Sequence, residues 1–372
     1  MGNPHPASRA EDAFNAHLAG RLAKRGWGRH VLPFTGYAGA DFARVFARVV
    51  MRRRGGPGLP DEDEPVQRGW RMFLSAPLPA VTVTVRLGRA KVEVVSDRGG
   101  YIDVELRGHG LDPGWHEATF ELDGHVDTGP VQVIDPQARL GIISDIDDTC
   151  LVTSLPRPML AAYNSFVLQE TARRVVPGMA AMFRSLIAHH PGTPVIYLST
   201  GAWNAQPTLA RFLRRHGYPE GALLLTDWGP TEESWFRSGQ AHKRAALRRL
   251  TEEFPHIRWL LVGDDGQHDP TLYDEIARAR PDRVETIAIR HLTTAQQMLS
   301  SGTPLPADEP SGPSSVPVVE GPDGYVLHRL VTHAMRARQQ AEEQAATQAE
   351  AAEHTEERAG RGARELEGAD RA

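Results

Sequence analysis

The sequence predicts an α/β protein in which a Rossmann-like parallel sheet follows an antiparallel β-sandwich. Two observations predict it. From about residue 40 to residue 135, short segments such as "AVTVTVRLG", "AKVEVVSD", "GYIDVELRG", "GWHEATFEL" and "GPVQVID" alternate apolar and polar residues between Gly, Pro and Asp turns, with no helical stretch among them. From residue 139 the rhythm changes. Near-continuous apolar runs, "RLGIISD", "PVIYLST", "ALLLTDW", "IRWLLVGD" and "VETIAIR", alternate with helical segments such as "WNAQPTLARFLRRHG" and "QAHKRAALRRLTEEF". Strands buried on both faces read as continuous apolar runs, so this half is a parallel sheet covered by helices.

In chain order, residues 1–30 read as an N-terminal helix, with Phe14, Leu18 and Leu22 four apart beside Arg21, Lys24 and Arg25. Such a basic amphipathic helix suits a membrane surface; docking on its own domain is the plainer reading. Residues 31–137 form the β-sandwich, interrupted by an exposed loop in "MRRRGGPGLPDEDEPVQRGW". Residues 138–300 form the parallel α/β domain, and 301–324 a Pro/Ser/Gly linker. Residues 325–372 are rich in Ala, Glu, Gln and Arg and read as a helical or disordered tail without chemistry.

The 372 residues carry a net charge of −5, which gives no global attraction to nucleic acid, and no nucleic-acid partner is expected. A single Cys150 rules out an intramolecular disulfide framework. It also lacks the Cys-x5-Arg spacing of a phosphate-cradling nucleophile, since Arg157 follows after six residues, and reads as a small buried residue. No signal-peptide core and no run of 18 apolar residues occurs, so a cytoplasmic protein is expected.

Ligands of open parallel sheets bind beyond the carboxyl ends of the strands, and there the polar residues gather. The run "GIISD" ends at Asp145, with Asp147, Asp148 and Thr149 close behind. Carboxylates packed this closely repel unless something positive binds them. Two of them suit phosphoryl transfer, one attacking phosphorus and the other protonating the leaving alcohol. Hard oxygen ligands select Mg²⁺ over zinc. The competing reading of each motif is structural: an Asp-rich turn, a Ser-Thr helix cap, a solvated surface lysine. The number of such stations argues against it. Ser199 and Thr200 end "VIYLST", Lys243 stands near the start of a helix where it can offset phosphoryl charge, and "LLVGDDGQHDP" supplies Asp264, Asp265 and Asp269. Asp145, Asp147 and Lys243 are therefore the candidate catalytic residues. Thr149, Ser199, Thr200 and Gly201 are the candidate substrate-binding residues, and Asp145, Asp147 and Asp264 the candidate metal ligands.

The ordered set Asp145-x-Asp147-x-Thr149, Ser199, Lys243 and Gly263-Asp264 resembles the four signature motifs of the haloacid dehalogenase superfamily of phosphohydrolases. The resemblance implies Asp145 as nucleophile, Asp147 as general acid/base, Ser199 as phosphate-binding hydroxyl and Lys243 as the third-motif lysine. It implies Mg²⁺ held by Asp264, the Asp145 carboxylate and the Asp147 backbone carbonyl. "SDIDDT", "VPGMAAMFRSL", "YLSTGAWN" and "LLVGDDGQHDPTLYDEIARARPDRV", with a preceding β-domain carrying "PGWHE", are similar to the phosphatidate phosphatase catalytic domain of the actin patch protein family. Two departures stand out. Ser199-Thr200-Gly201-Ala202-Trp203 replaces Ser-x-Ser-Pro-Trp, and Asp265 replaces a serine in Gly-Asp-Ser-Gly, which is expected to add a carboxylate beside the metal.

The expectation is thus a Mg²⁺-dependent phosphatase acting through an aspartyl-phosphate on a phosphomonoester, with phosphatidate or a related lipid phosphate met at a membrane surface. Two alternatives stay open: a phosphatase of phosphoproteins, nucleic-acid ends or soluble metabolites, and a binding or scaffold protein that uses its β-sandwich. The segment between Asp147 and Ser199 has room for a flap and one or two helices, with Arg157, Arg173 and Arg174 as basic residues for an anionic surface.

Overall fold

The computed structural model describes residues 21–22, 24–53, 78–152, 174–226, 232–266, 268–294 and 315–369. Two sheets account for nearly all its strands. The first holds β1 (Trp27–Ala38), β2 (Phe42–Arg53), β3 (Thr82–Leu87), β4 (Ala90–Val95), β5 (Tyr101–Arg107), β6 (Gly114–Leu122) and β7 (His125–Val133), in the order β4-β3-β6-β7-β1-β2-β5. The alternation along these strands buries one face, as in β3, where Val83, Val85 and Leu87 lie at 0–1% exposure.

This arrangement modifies the sandwich expectation. Hydrogen bonding joins all seven strands in one sheet whose outer strands, β4 and β5, approach each other. The pairing is antiparallel throughout except between β1 and β7, which run parallel from Gly36↔Val131 to Ala38↔Val133. The sheet therefore curls around its own core, an arrangement set by long-range pairing that local alternation does not encode. Residues 1–20 and 23 of the expected N-terminal helix lie outside the described residues. Only Arg21 and Leu22 of it are described as helical, and Trp27–His30 already belong to β1. Most of the expected exposed loop lies outside the described residues, but Met51–Arg53 complete β2 and Met51 is buried.

The second sheet holds β8 (Leu140–Ser144), β11 (Val195–Ala202), β12 (Ala222–Thr226), β13 (Arg258–Asp264), β14 (Val284–Arg290) and β15 (Val318–Gly321). Its order is β12-β11-β8-β13-β14-β15 and every pair is parallel. A small antiparallel pair, β9 (Leu151–Val152) with β10 (Arg174–Val175), stands beside it. The expected flap between them, with Arg157 and Arg173, lies outside the described residues. Arg174 is exposed on β10.

Helices cover both faces of the parallel sheet. Leu140, Ile142, Leu260, Val262 and Ala288 pack against α1 (Met179–His189), α2 (Gln206–Arg215) and the start of α5 (Gly324–Ala369). Ile143, Ile196, Leu198, Leu261, Ile287 and Ile289 point the other way, toward α3 (Glu232–Glu253) and α4 (Asp269–Ala279). Phe34, Tyr37 and Phe46 of the first sheet join this second core. Trp203 stacks on Phe34 at 5.0 Å between ring centroids, and Glu253 accepts hydrogen bonds from Tyr37 Oη at 2.7 Å and Arg44 Nε at 2.8 Å.

The C-terminal expectations need correction. The end of the expected linker is β15, which pairs with β14 from Ile287↔Val318 to Arg290↔Gly321. The tail begins as a docked helix, since Leu327 and Val331 are fully buried in the core. Gly324 lies so close to α1 that an added Cβ would run into the Met179 backbone nitrogen.

The strand order fixes where a ligand can sit. The chain winds from β8 out to β11 and β12, then returns to the other side of β8 for β13, β14 and β15. The reversal falls between β8 and β13, whose following connections leave in opposite directions, and in such sheets a crevice for ligands forms there beyond the carboxyl ends of the strands. No helix among the described residues is long and apolar enough to cross a membrane.

Candidate active site

Asp145 follows β8 and Asp264 ends β13, so the reversal places one on each side of the same crevice. The Asp145 amide donates to Val262 O at 2.9 Å, which ties the two strand ends together. Both carboxylates are buried, at 1% and 0% exposure. A third arrives from the helix that follows. Asp269 is the first residue of α4, where a carboxylate is favoured by the unsatisfied amides and the helix dipole. Gly263 makes the approach possible, since a Cβ there would lie 2.7 Å from the Asp269 Cβ. Oxygens of Asp145, Asp264 and Asp269 lie within 4.8 Å of one another.

One cation faces these three anions. Lys243, on the buried side of α3, donates from Nζ to Asp145 Oδ1 at 2.7 Å and to Asp269 Oδ1 at 2.7 Å. Burial disfavours the charged lysine, but the two carboxylates outweigh it and hold the ammonium well above its ordinary value. The carboxylates are less well compensated. Burial drives Asp145 and Asp264 upward, crowding by Asp269 adds to both, and Lys243 pulls both back.

Among the described residues, three carboxylates thus meet a single lysine. Asp145 Oδ2 and Asp269 Oδ2 are buried with no hydrogen-bond partner among the described residues. Orphaned carboxylate oxygens of this kind are costly unless a cation takes them. Three hard oxygen donors around two unpartnered atoms fit a hard divalent cation of the Mg²⁺ class.

The other expected residues fall around this cluster, with differences. Asp147 is half-buried, and its Oδ2 accepts from Ser199 Oγ at 3.0 Å. Its carboxylate is therefore turned to the second strand end, and the third carboxylate of the cluster is Asp269. Thr149 Oγ1 donates to Asp264 Oδ2 at 3.5 Å, so it faces the carboxylate cluster rather than an open substrate position. Ser199 is fully buried at the end region of β11 and accepts from the Gly201 amide at 2.9 Å. Thr200 is half-buried, and its carbonyl accepts from Thr226 Oγ1 at 2.7 Å. Ser199 and Gly201 thus engage each other and Asp147 in this state.

The two departures from the family pattern have structural outcomes. Trp203 keeps its place in the motif and packs into the first sheet's aromatic cluster with Phe34 and Phe46. Asp265 does not add a ligand to the cluster. Its Oδ1 accepts from the Leu292 amide at 2.8 Å and its Oδ2 pairs with His291 Nδ1 at 2.8 Å, so the carboxylate is held by the chain leaving β14. Cys150 is fully buried, and burial pushes its thiol up to about 12, which removes it as a nucleophile at neutral pH.

Residues 140–291 match the family described as the catalytic domain of phosphatidate phosphatase APP1. The match is to that segment and not to the whole chain. The APP1-type segment contains every residue of the cluster, from Asp145 to Asp269, while the first sheet, β15 and α5 lie outside it. The chain is 24% identical to phosphatidate phosphatase APP1 of Saccharomyces cerevisiae over 176 residues, 45% of this chain and 29% of that protein. It is 26% identical over 161 residues to an uncharacterized protein of Schizosaccharomyces pombe, 43% of this chain and 26% of that one. The chain spans less than a third of the length of either relative. A carbohydrate acetylesterase from Xanthomonas citri aligns over 72% of this chain and 74% of its own, but at 10% identity and a TM-score of 0.25 that likeness carries no weight.

Proposed function

We propose that the chain is a Mg²⁺-dependent phosphomonoesterase that forms an aspartyl-phosphate on Asp145, with a lipid phosphate such as phosphatidate as its substrate class. One observation carries the reading: Asp145, Asp264, Asp269 and Lys243 converge at the strand reversal of an APP1-type segment, with two carboxylate oxygens left unpartnered.

In this reading Asp145, Asp264 and Asp269 hold the ion, which supplies charge stabilisation to the phosphoryl oxygens when bound. A carboxylate oxygen of Asp145 attacks phosphorus and the ester P–O bond breaks. The leaving alcohol oxygen takes a proton from Asp147, whose side chain is held beside Ser199 at the end of the neighbouring strand. Water then attacks the phosphorus of the aspartyl-phosphate and gives its proton to Asp147. Inorganic phosphate leaves, and Asp145 is restored. Lys243 keeps the Asp145 carboxylate oriented and compensates charge on the transferring group. Ser199 and the Thr200 and Gly201 backbone take phosphoryl oxygens once the Ser199–Asp147 bond opens, and Thr149 steadies Asp264.

The lipid assignment draws on the relative's name and on the family match. The enzyme then works from the cytoplasm as a peripheral visitor to the membrane surface. Phosphate release from phosphatidate in detergent mixed micelles, set against a panel of soluble phosphomonoesters, tests it. Turnover of the lipid above the panel supports the assignment; activity confined to soluble esters overturns it while leaving the phosphatase chemistry standing.

A further inference from the structure

The turn that carries Asp147 is held in an unusual backbone state. Asp148 has φ +56°, a left-handed conformation that residues with a side chain rarely adopt. On one side of it the chain aims Asp147 at Ser199, and on the other it aims Thr149 at Asp264. The Cys150 amide closes the turn by donating to Ile146 O at 2.8 Å. If Asp148 relaxed to a right-handed conformation, the flanking peptide planes would rotate and both side chains would lose their aim.

Arg290 opposes that relaxation. It ends β14 and is 5% exposed. Its Nη1 donates to Asp148 O at 2.5 Å, and its Nε donates to Pro322 O at 3.3 Å in the turn between β15 and α5. Its own carbonyl accepts from the Asp265 amide at 3.1 Å, next to the ligand Asp264. Register pairs it with Asp264 on one side and Gly321 on the other. A guanidinium suits this task because its planar fork reaches two carbonyls at fixed angles. One residue thus touches the acid/base turn, the metal turn and the C-terminal strand.

We propose that Arg290 is a positioning residue for the reaction, which fixes the left-handed Asp148 turn by bracing it against the β15–α5 turn, outside the APP1-type segment. The proposal rests on the phosphatase reading for its kinetic consequence but not for its structural one. It makes residues 318–331 part of the working domain, although the family match stops at residue 291.

Glycine adopts a positive φ without steric cost. Asp148→Gly should therefore lessen the dependence on Arg290, whereas a role in folding alone gives the same loss in either background. The test is a double-mutant cycle in the full chain with Arg290→Met and Asp148→Gly, read on para-nitrophenyl phosphate with Mg²⁺. Arg290→Met should lower kcat on the order of 10²-fold, with KM changed by less than about threefold. Arg290→Lys should recover part of it, and the loss should shrink at least about fivefold in the Asp148→Gly background. Val331→Ala, which weakens α5 docking farther along the helix from Pro322, should leave kcat within about twofold. Should Arg290→Met fail to fold, Arg290→Lys takes its place in the cycle.

Hydrogen exchange at the Cys150 amide gives a second readout that needs no turnover. Arg290→Met should speed it about tenfold or more, and less so with Asp148→Gly present. An inactive wild type would sink the phosphatase reading alone, and exchange would still judge Arg290. Additive kcat losses, or unchanged Cys150 exchange in Arg290→Met, would overturn the proposal.

Discussion

Lys243 Nζ stands 2.7 Å from Asp145 Oδ1, with 3% and 2% of the two side chains exposed. The same ammonium also holds Asp269, so removing it strands two buried carboxylates at once. Lys243→Met should cost about 3–5 kcal/mol of unfolding free energy in chelator, with part of the loss restored by Mg²⁺. Turnover should fall by about 10³-fold. Urea denaturation with and without Mg²⁺, followed by an activity assay, checks both; stability equal to wild type in chelator would show that the pair is not as buried as described.

The metal set expected from sequence held the Asp147 backbone carbonyl but not Asp269, whose carboxylate joins the cluster. The roles of the two side chains separate experimentally. Asp269→Asn should raise the Mg²⁺ concentration for half-maximal activity by about tenfold or more. Asp147→Asn should remove turnover and leave cation binding, followed as Mn²⁺ titration, within about threefold of wild type. The opposite pattern would make the Asp147 side chain, and not Asp269, the third carboxylate at the ion.

Asp265 stands beside Asp264 but outside the carboxylate cluster, because Leu292 and His291 occupy its oxygens. Asp265→Ser should shift Mg²⁺ dependence by less than about twofold. It should instead release His291, whose pKa is raised chiefly by the hydrogen bond its ring donates to the Asp265 carboxylate. A raised histidine pKa adds stability that is full below about pH 6.5 and fades as pH climbs through the folded value. NMR titration of His291 should therefore move downward in the variant. A large change in Mg²⁺ affinity with His291 unmoved would contradict this placement.

His242, next to Lys243 on α3, shows the reverse linkage. Burial, helped by Arg249, lowers its pKa to about 4. The unfolded chain takes up a proton near pH 6.5 and the folded chain does not, so stability falls as pH drops from about 6.5 towards 4. The loss should reach about 2 kcal/mol by pH 4.5, and His242→Gln should not show it. Denaturant midpoints for both proteins at pH 7 and pH 4.5 give the comparison; parallel losses in the two would remove His242 as the cause.

The parallel sheet was legible in the sequence because its strands are buried on both faces, which leaves unbroken apolar runs that end in Asp145, Ser199 and Asp264. Lys243 was legible as the lysine of the helix before β13, but it sits midway along α3 rather than near its start, because the helix already begins at Glu232. Asp269 was seen in the acidic turn but its pairing with Lys243 was not, because an aspartate opening a helix reads as a cap until the fold brings α3 across it. β15 is four residues behind a Pro/Ser/Gly stretch, too short for a periodic signal. The docking of α5 rests on Leu327 and Val331 inside an otherwise polar helix. The parallel β1–β7 pair and the closing of β4 toward β5 depend on contacts far apart in the chain, which alternation alone does not specify.

The most direct measurement compares phosphate release from a phosphomonoester by wild type and by Asp145→Asn, each with Mg²⁺ and then with chelator. The account predicts release by the Mg²⁺-loaded wild type alone, with the variant folded and inactive. Equal rates in the two proteins, or wild-type turnover indifferent to chelation, would contradict it.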